Sequence, residues 1–108
     1  MDSDAQSPEE LETLLEDAFL LRDADAVARL FEVDSVLITG DETLRLRRRD
    51  DVLRVMSLMC VDGYRYLADP RSVYQARDTA LLIGDGIINV ARRGQDGSWR
   101  FAISMLPM

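Results

Sequence analysis

The chain has 108 residues, 47% of them hydrophobic and 31% charged, which suits one ordinary domain and leaves no room for a second. Thirteen basic against 20 acidic residues give a formal charge of −7, and this excludes nucleic acid or an anionic membrane as the expected partner, because both are polyanions. Histidine and lysine are both absent, so no His–carboxylate triad, His metal site, Schiff-base lysine or Walker lysine can be built.

Cys60 is the single cysteine, so there is no internal disulfide, redox pair or thiolate cluster, and a reducing cytoplasm is the expected compartment. Met1-Asp2-Ser3-Asp4 is acidic where a signal peptide is basic. No apolar run approaches the ~18 residues of a membrane helix. Residues 1–7 read as a polar tail and 8–108 as the domain.

Ser7-Pro8-Glu9-Glu10 signals a helix start: Ser7 caps, Pro8 suits the first helical position and Glu10 completes a capping box. The helix runs to about Arg22, with Leu11, Leu14, Leu15, Ala18 and Phe19 forming its apolar stripe. Glu9, Glu12, Glu16 and Asp17 are read on the opposite side. Asp23 or Asp25 caps a shorter helix through Phe31. Ser35 to Thr39 and Thr43 to Arg47 flank the turn Gly40-Asp41-Glu42 and read as a hairpin. Asp50 or Asp51 opens a third helix with Val52, Val55, Met56, Met59 and Cys60 on one face, stopped by Asp62-Gly63.

The remainder reads as strand. Tyr64, Tyr66 and Ala68 alternate with Arg65, Leu67 and Asp69, Pro70 interrupts, and pairing resumes from Ser72 to Arg77. Thr79 to Ala91 reads as one long strand bulged at Gly84-Asp85-Gly86. Gly94-Gln95-Asp96-Gly97 forms a hairpin turn. The last strand is expected to place Trp99, Phe101, Ile103 and Met105 on one face and Arg100, Ala102, Ser104 and Leu106 on the other. The element order is ααββαβββ.

The helix-to-strand passage Asp23-Ala24-Asp25-Ala26-Val27-Ala28-Arg29-Leu30-Phe31, followed by Asp34-Ser35-Val36-Leu37, resembles that of nuclear transport factor 2-like proteins, especially their SnoaL-like branch, part of the cystatin-like α+β folds. Asp78-Thr79-Ala80-Leu81-Leu82 and Asp96-Gly97-Ser98-Trp99-Arg100 extend the resemblance, which spans roughly residues 8 to 106. It implies an α+β cone: three helices in the N-terminal half packed on a curved, mainly antiparallel sheet around an apolar pocket, with a homodimer formed through the sheet. Such proteins include steroid isomerases, polyketide cyclases, dehydratases and non-enzymatic binding domains, so fold alone does not choose a function. The isomerase-like members use a tyrosine on the first helix, a carboxylate base near the end of the first strand and a protonated aspartate on the fourth. The matching positions here are Leu15, Thr39 and Asn89, which leaves those roles empty. Because the chain stops after its closing strand, the pocket is expected to be shallow.

The expected function is therefore binding of a small apolar or aromatic molecule, without a metal or cofactor, in a pocket lined by Leu15, Phe19, Thr39, Met56, Met59, Tyr66, Asn89 and Phe101. The alternatives are a SnoaL-like cyclase or isomerase using Asp69, Asp85 or Tyr66 as an unusual acid or base, and a purely structural dimeric interaction domain. Asp69 before Pro70 and Asp85 between glycines equally suit turns. The tyrosines and methionines equally suit ordinary core. Arg45, Arg47, Arg48 and Arg49 form a basic cluster able to hold a phosphate, a carboxylate or an acidic partner, or simply a solvated strand edge. Cys60, with no histidine to activate it, reads as an inert buried thiol.

Overall fold

A computed structural model describes residues 4–39, 45–63, 66 and 72–106. Helix α1 (Pro8–Leu20) starts as its sequence dictates: the Ser7 side chain accepts from the Glu10 N–H at 3.0 Å, and Pro8 occupies the first turn. The Glu10 carboxylate accepts from the Gln6 N–H, at 2.9 Å, one residue before the donor a capping box uses. Helix α2 (Ala24–Arg29) is capped by Asp23, whose carboxylate accepts from Ala26 N–H. Phe31, read as helical, instead begins strand β1 (Phe31–Thr39). Helix α3 (Arg49–Val61) starts just before the expected aspartates, with Arg48 as its N-cap, and Gly63 follows it at φ 79, where glycine is favoured.

One six-stranded sheet carries the rest, in the order β2-β1-β6-β5-β4-β3. Its other members are β2 (Arg45–Arg47), β3 (Ser72–Ala76), β4 (Thr79–Ile83), β5 (Ile88–Arg93) and β6 (Trp99–Leu106). All neighbours are antiparallel except β1 and β6, which run parallel. The α+β layering is as expected, with one strand more than the sequence suggested. Thr79 to Ala91 is two strands, because Gly84-Asp85-Gly86 makes a hairpin, closed by Gly84 N–H to Ile87 carbonyl at 2.8 Å, rather than a bulge. The turn at 94–97 forms as read: Gly97 takes φ 83, and Asp96 accepts from the Ser98 N–H, the Ser98 hydroxyl and Arg100.

The bulge lies elsewhere. Val90 pairs with Ile103 but Ala91 with Phe101, so Ala102 is an extra residue on β6. Strict alternation is therefore broken midway: Trp99, Phe101, Ser104 and Leu106 are buried, while Ile103 is 41% exposed. Ser104 and Leu106 thus face the helices, and Ile103 and Met105 do not, the reverse of what alternation through Ala102 gives.

Leu11, Leu15, Phe19, Met56, Leu37, Leu82 and Phe101 fill the core between helices and sheet. Ala5, placed in the polar tail by sequence, joins it: its carbonyl accepts from Trp99 N–H at 2.9 Å and its side chain is buried. Among the described residues no helix is long and apolar enough to cross a membrane.

The bulge gives a direct test. Leu106→Ala is expected to cost about 2–5 kcal/mol by urea unfolding, as for an inward leucine; a cost within about 0.5 kcal/mol would place Leu106 on the solvent side.

Candidate functional site

Glu12 is the feature the sequence reading misplaced. It is only 3% exposed, and it points into the apolar core rather than away from it. Helical geometry explains why: at ~100° per residue Glu12 stands about 60° from Leu15, as far to one side as Ala18 is to the other. The spacing Pro8, Leu11, Glu12, Leu15, Phe19 was therefore the available signal, and the residue's charge masked it.

A buried carboxylate needs donors, and two distant segments supply them. Tyr66 donates its hydroxyl to Glu12 Oε2. Asn89, on the inner face of β5, donates from Nδ2 to Glu12 Oε1 at 2.9 Å and to the Tyr66 hydroxyl oxygen at 2.8 Å. The three groups form a closed triangle in which each side chain bonds the other two. Burial pushes the Glu12 carboxyl above its ordinary value, and the hydrogen bonds from Tyr66 and Asn89 pull it part of the way back. The Phe19 ring stacks on Tyr66, with centroids 6.2 Å apart and planes 22° from parallel.

The pairing register places Asn89 in a row running across the sheet. Leu46, Leu37, Ser104, Asn89, Leu82 and Val73 are successive cross-strand partners, so they share the core-facing side. Asn89 Oδ1, Ser104 Oγ and Ser35 Oγ in this interior are buried without a hydrogen-bond partner.

Of the residues expected to line a pocket, Tyr66, Asn89 and Phe19 are thus brought together around Glu12. Leu15, Met56, Met59 and Phe101 belong to the same buried core. Thr39 ends β1 opposite Leu106, and its side chain lies outside the described residues, as do Asp69, Tyr64 and the turn 40–44. Asp85 is exposed in its hairpin turn, so it is not a buried acid; flanking glycines favoured the turn over the strand. Cys60 is buried, and burial followed by the nearby charge of Asp23 pushes its thiol up, consistent with an unreactive group.

Arg45 and Arg47 lie exposed on edge strand β2, as a solvated edge requires. Open clefts of about 290 and 390 Å³ adjoin Arg48, but Asp34 lines both and Asp50 the smaller one together with the arginines, so their charge is mixed. A smaller apolar groove of about 110 Å³ lies between α1 and α2, lined by Leu14, Ala18, Leu21 and Leu30 among others.

This arrangement of helices and sheet recurs in solved structures. A ketosteroid isomerase-like protein from Erwinia carotovora atroseptica superposes with a TM-score of 0.71 at 20% identity, covering 90% of this chain and 89% of that one. The fold is nuclear transport factor 2-like. A nuclear transport factor 2-like protein with a cystatin-like fold from Novosphingobium aromaticivorans gives 0.69 at 17% identity, over 90% of this chain and 76% of that one. A Thiobacillus denitrificans protein provisionally named as a calcium/calmodulin-dependent protein kinase type II association domain gives 0.74 at 21%, over 94% and 95%. No protein-family model matches the chain, and no curated protein matches it by sequence.

The sign of the Glu12 contribution follows from its raised pKa. Its stabilisation is complete below the ordinary value of 4.5 and is lost as pH rises through the folded-state pKa. Urea unfolding of the wild type and Glu12→Gln between about pH 4 and pH 8 is expected to give a wild-type-minus-variant difference that falls with rising pH. A difference that rises with pH would mean the fold favours the Glu12 anion.

Proposed function

We propose that the protein binds a small, largely apolar or aromatic molecule in the interior between helices and sheet, oriented by the Glu12–Tyr66–Asn89 triangle. The observation that carries this reading is a polar network set inside an otherwise apolar core that includes Leu15, Phe19, Met56 and Phe101. A core needing only stability is served as well or better by apolar side chains, since an isolated buried carboxylate costs several kcal/mol of desolvation. A few placed polar groups in an apolar interior are what a specific small-molecule site contains.

A second reading, proton transfer by a SnoaL-like cyclase or isomerase, is favoured by one feature. Glu12 is a buried carboxyl whose pKa is raised, the condition for an acid or base working near neutrality, with Tyr66 in contact to relay or donate a proton. Leu15 and Asn89 occupy places where isomerase-like members carry a tyrosine and an aspartate, so any such chemistry would run through Glu12 instead.

The same reading includes a homodimer through the sheet. Val36, Ile103, Val90, Leu81 and Tyr74 form one cross-strand row on the face away from the helices, and Ile38, Met105, Ile88 and Ile83 form the next. Tyr74 is 62% exposed and Ile88 41%. A contiguous apolar face of this kind calls for a partner, and a second copy offers the same self-complementary surface.

Native mass spectrometry of protein purified from its own host tests both parts. A dimer carrying a discrete added mass is expected; a monomer would sink the sheet-mediated dimer. If the ligand-free protein also gives no thermal shift with any aromatic or apolar compound of a screening panel, the interior-binding reading fails.

A further inference from the structure

The helix layer carries a second apolar surface, which the core does not use. Glu10, Leu14, Asp17 and Leu21 follow one another at helical spacing and share one stripe of α1. Leu14 and Leu21 line the groove between α1 and α2, and Ala26 and Leu30 form its other wall. Leu21 is 75% exposed and Leu20 65%, so two consecutive leucines stand in water where α1 ends. Single exposed leucines are ordinary, whereas adjacent ones beside an apolar groove mark a contact surface.

The size of the groove decides what enters it. Its volume of about 110 Å³ is far below the ~300–1,000 Å³ of a small-molecule site. It is nearer the ~150 Å³ that admits a benzene ring, so it takes one leucine- or isoleucine-sized side chain. Charge decides what carries that side chain. Asp17, Asp23 and Arg29 also line the groove, all exposed, and Asp25 stands one turn before Arg29 on α2, where it offsets the guanidinium. Glu10 continues the acidic side of the stripe beyond Leu14. The groove is thus apolar at its floor and acidic at its rim, which repels nucleic acid and anionic membranes and attracts a cation.

We infer that this groove docks a cationic amphipathic helix of a partner protein, which seats a leucine or isoleucine between α1 and α2 and sets arginine or lysine against Asp17 and Asp23. A helix suits the surface because its apolar residues recur every three or four positions, so one turn fills the groove while the next covers Leu20 and Leu21. The Glu12 triangle is buried in the core, and the second copy proposed above packs on the outer face of the sheet. Docking on α1 and α2 therefore depends on neither.

Fluorescence anisotropy of a labelled synthetic leucine–lysine helix, titrated with the wild type, Leu21→Ser, Asp17→Asn and Leu58→Ser, tests the groove. The wild type is expected to bind this probe at least about tenfold tighter than a leucine–glutamate helix of the same length. Leu21→Ser is expected to lose about tenfold in affinity, the scale of covering one leucine. Asp17→Asn is expected to lose about two- to fivefold and to show a weaker dependence on salt. Leu58 is 61% exposed on α3 but does not line the groove, so Leu58→Ser is expected to bind as the wild type does. All three positions are exposed or partly so, and urea midpoints close to that of the wild type report intact folding. Equal binding of the two helices, equal loss in Leu21→Ser and Leu58→Ser, or no binding of the leucine–lysine helix would overturn the docking site. Self-association of the wild type that disappears in Leu21→Ser would give the groove to a second copy and overturn the cationic partner.

Discussion

A carboxylate cannot be taken out of water unpaired, and the placement of Glu12 makes that constraint govern three parts of the chain at once. Glu12 comes from α1, Tyr66 from the segment after α3, and Asn89 from β5 in the middle of the sheet. If α1 rotated by one residue, Glu12 would leave the triangle, and Asn89 and Tyr66 would lose their acceptor inside an apolar core. Apolar contacts tolerate small shifts of a helix, whereas directional hydrogen bonds do not. The triangle thus adds a directional restraint to the apolar stripe that already sets which face of α1 meets the sheet.

Legibility in the sequence followed how local each determinant is. The caps at Ser7 and Asp23, the glycine stop after α3 and the 94–97 turn depend on a few adjacent residues, and these were readable. The layered α+β architecture came from apolar periodicity joined to a family resemblance. Glu12 escaped because a charged residue at a stripe position is normally solvated, and its partners lie 54 and 77 residues away. The Ala102 bulge escaped because Arg100-Phe101-Ala102-Ile103-Ser104 still looks like plain alternation; only the register with β5 shows the extra residue. Gly84-Asp85-Gly86 was ambiguous between a bulge and a turn, and pairing of Ile83 with Ile88 decides for the turn.

Tyr66 and Asn89 were read as pocket-lining residues, yet the link between them was missing without Glu12. Once that carboxyl is in place, the two become members of one network, with Phe19 stacked beside it. The surface shows the complementary pattern. On the outer face Arg92 pairs with Glu32 at one end of the sheet, while the apolar rows occupy the other. The sheet's outer face is thereby divided into a polar and an apolar half.

Strand β6 has a further consequence for how the molecule comes into being. It pairs with β1 in parallel and with β5 antiparallel, so it is the seam joining the β2-β1 ribbon to the β5-β4-β3 meander. Without Trp99 to Leu106 the chain holds two separate sheet fragments, each with an open edge. Contacts such as Phe31 with Phe101 close loops spanning most of the sequence, which is the topology of slow rather than fast folders. Completion of the fold therefore waits for β6, and until it pairs the ribbon and meander are most open to pairing with the wrong chain.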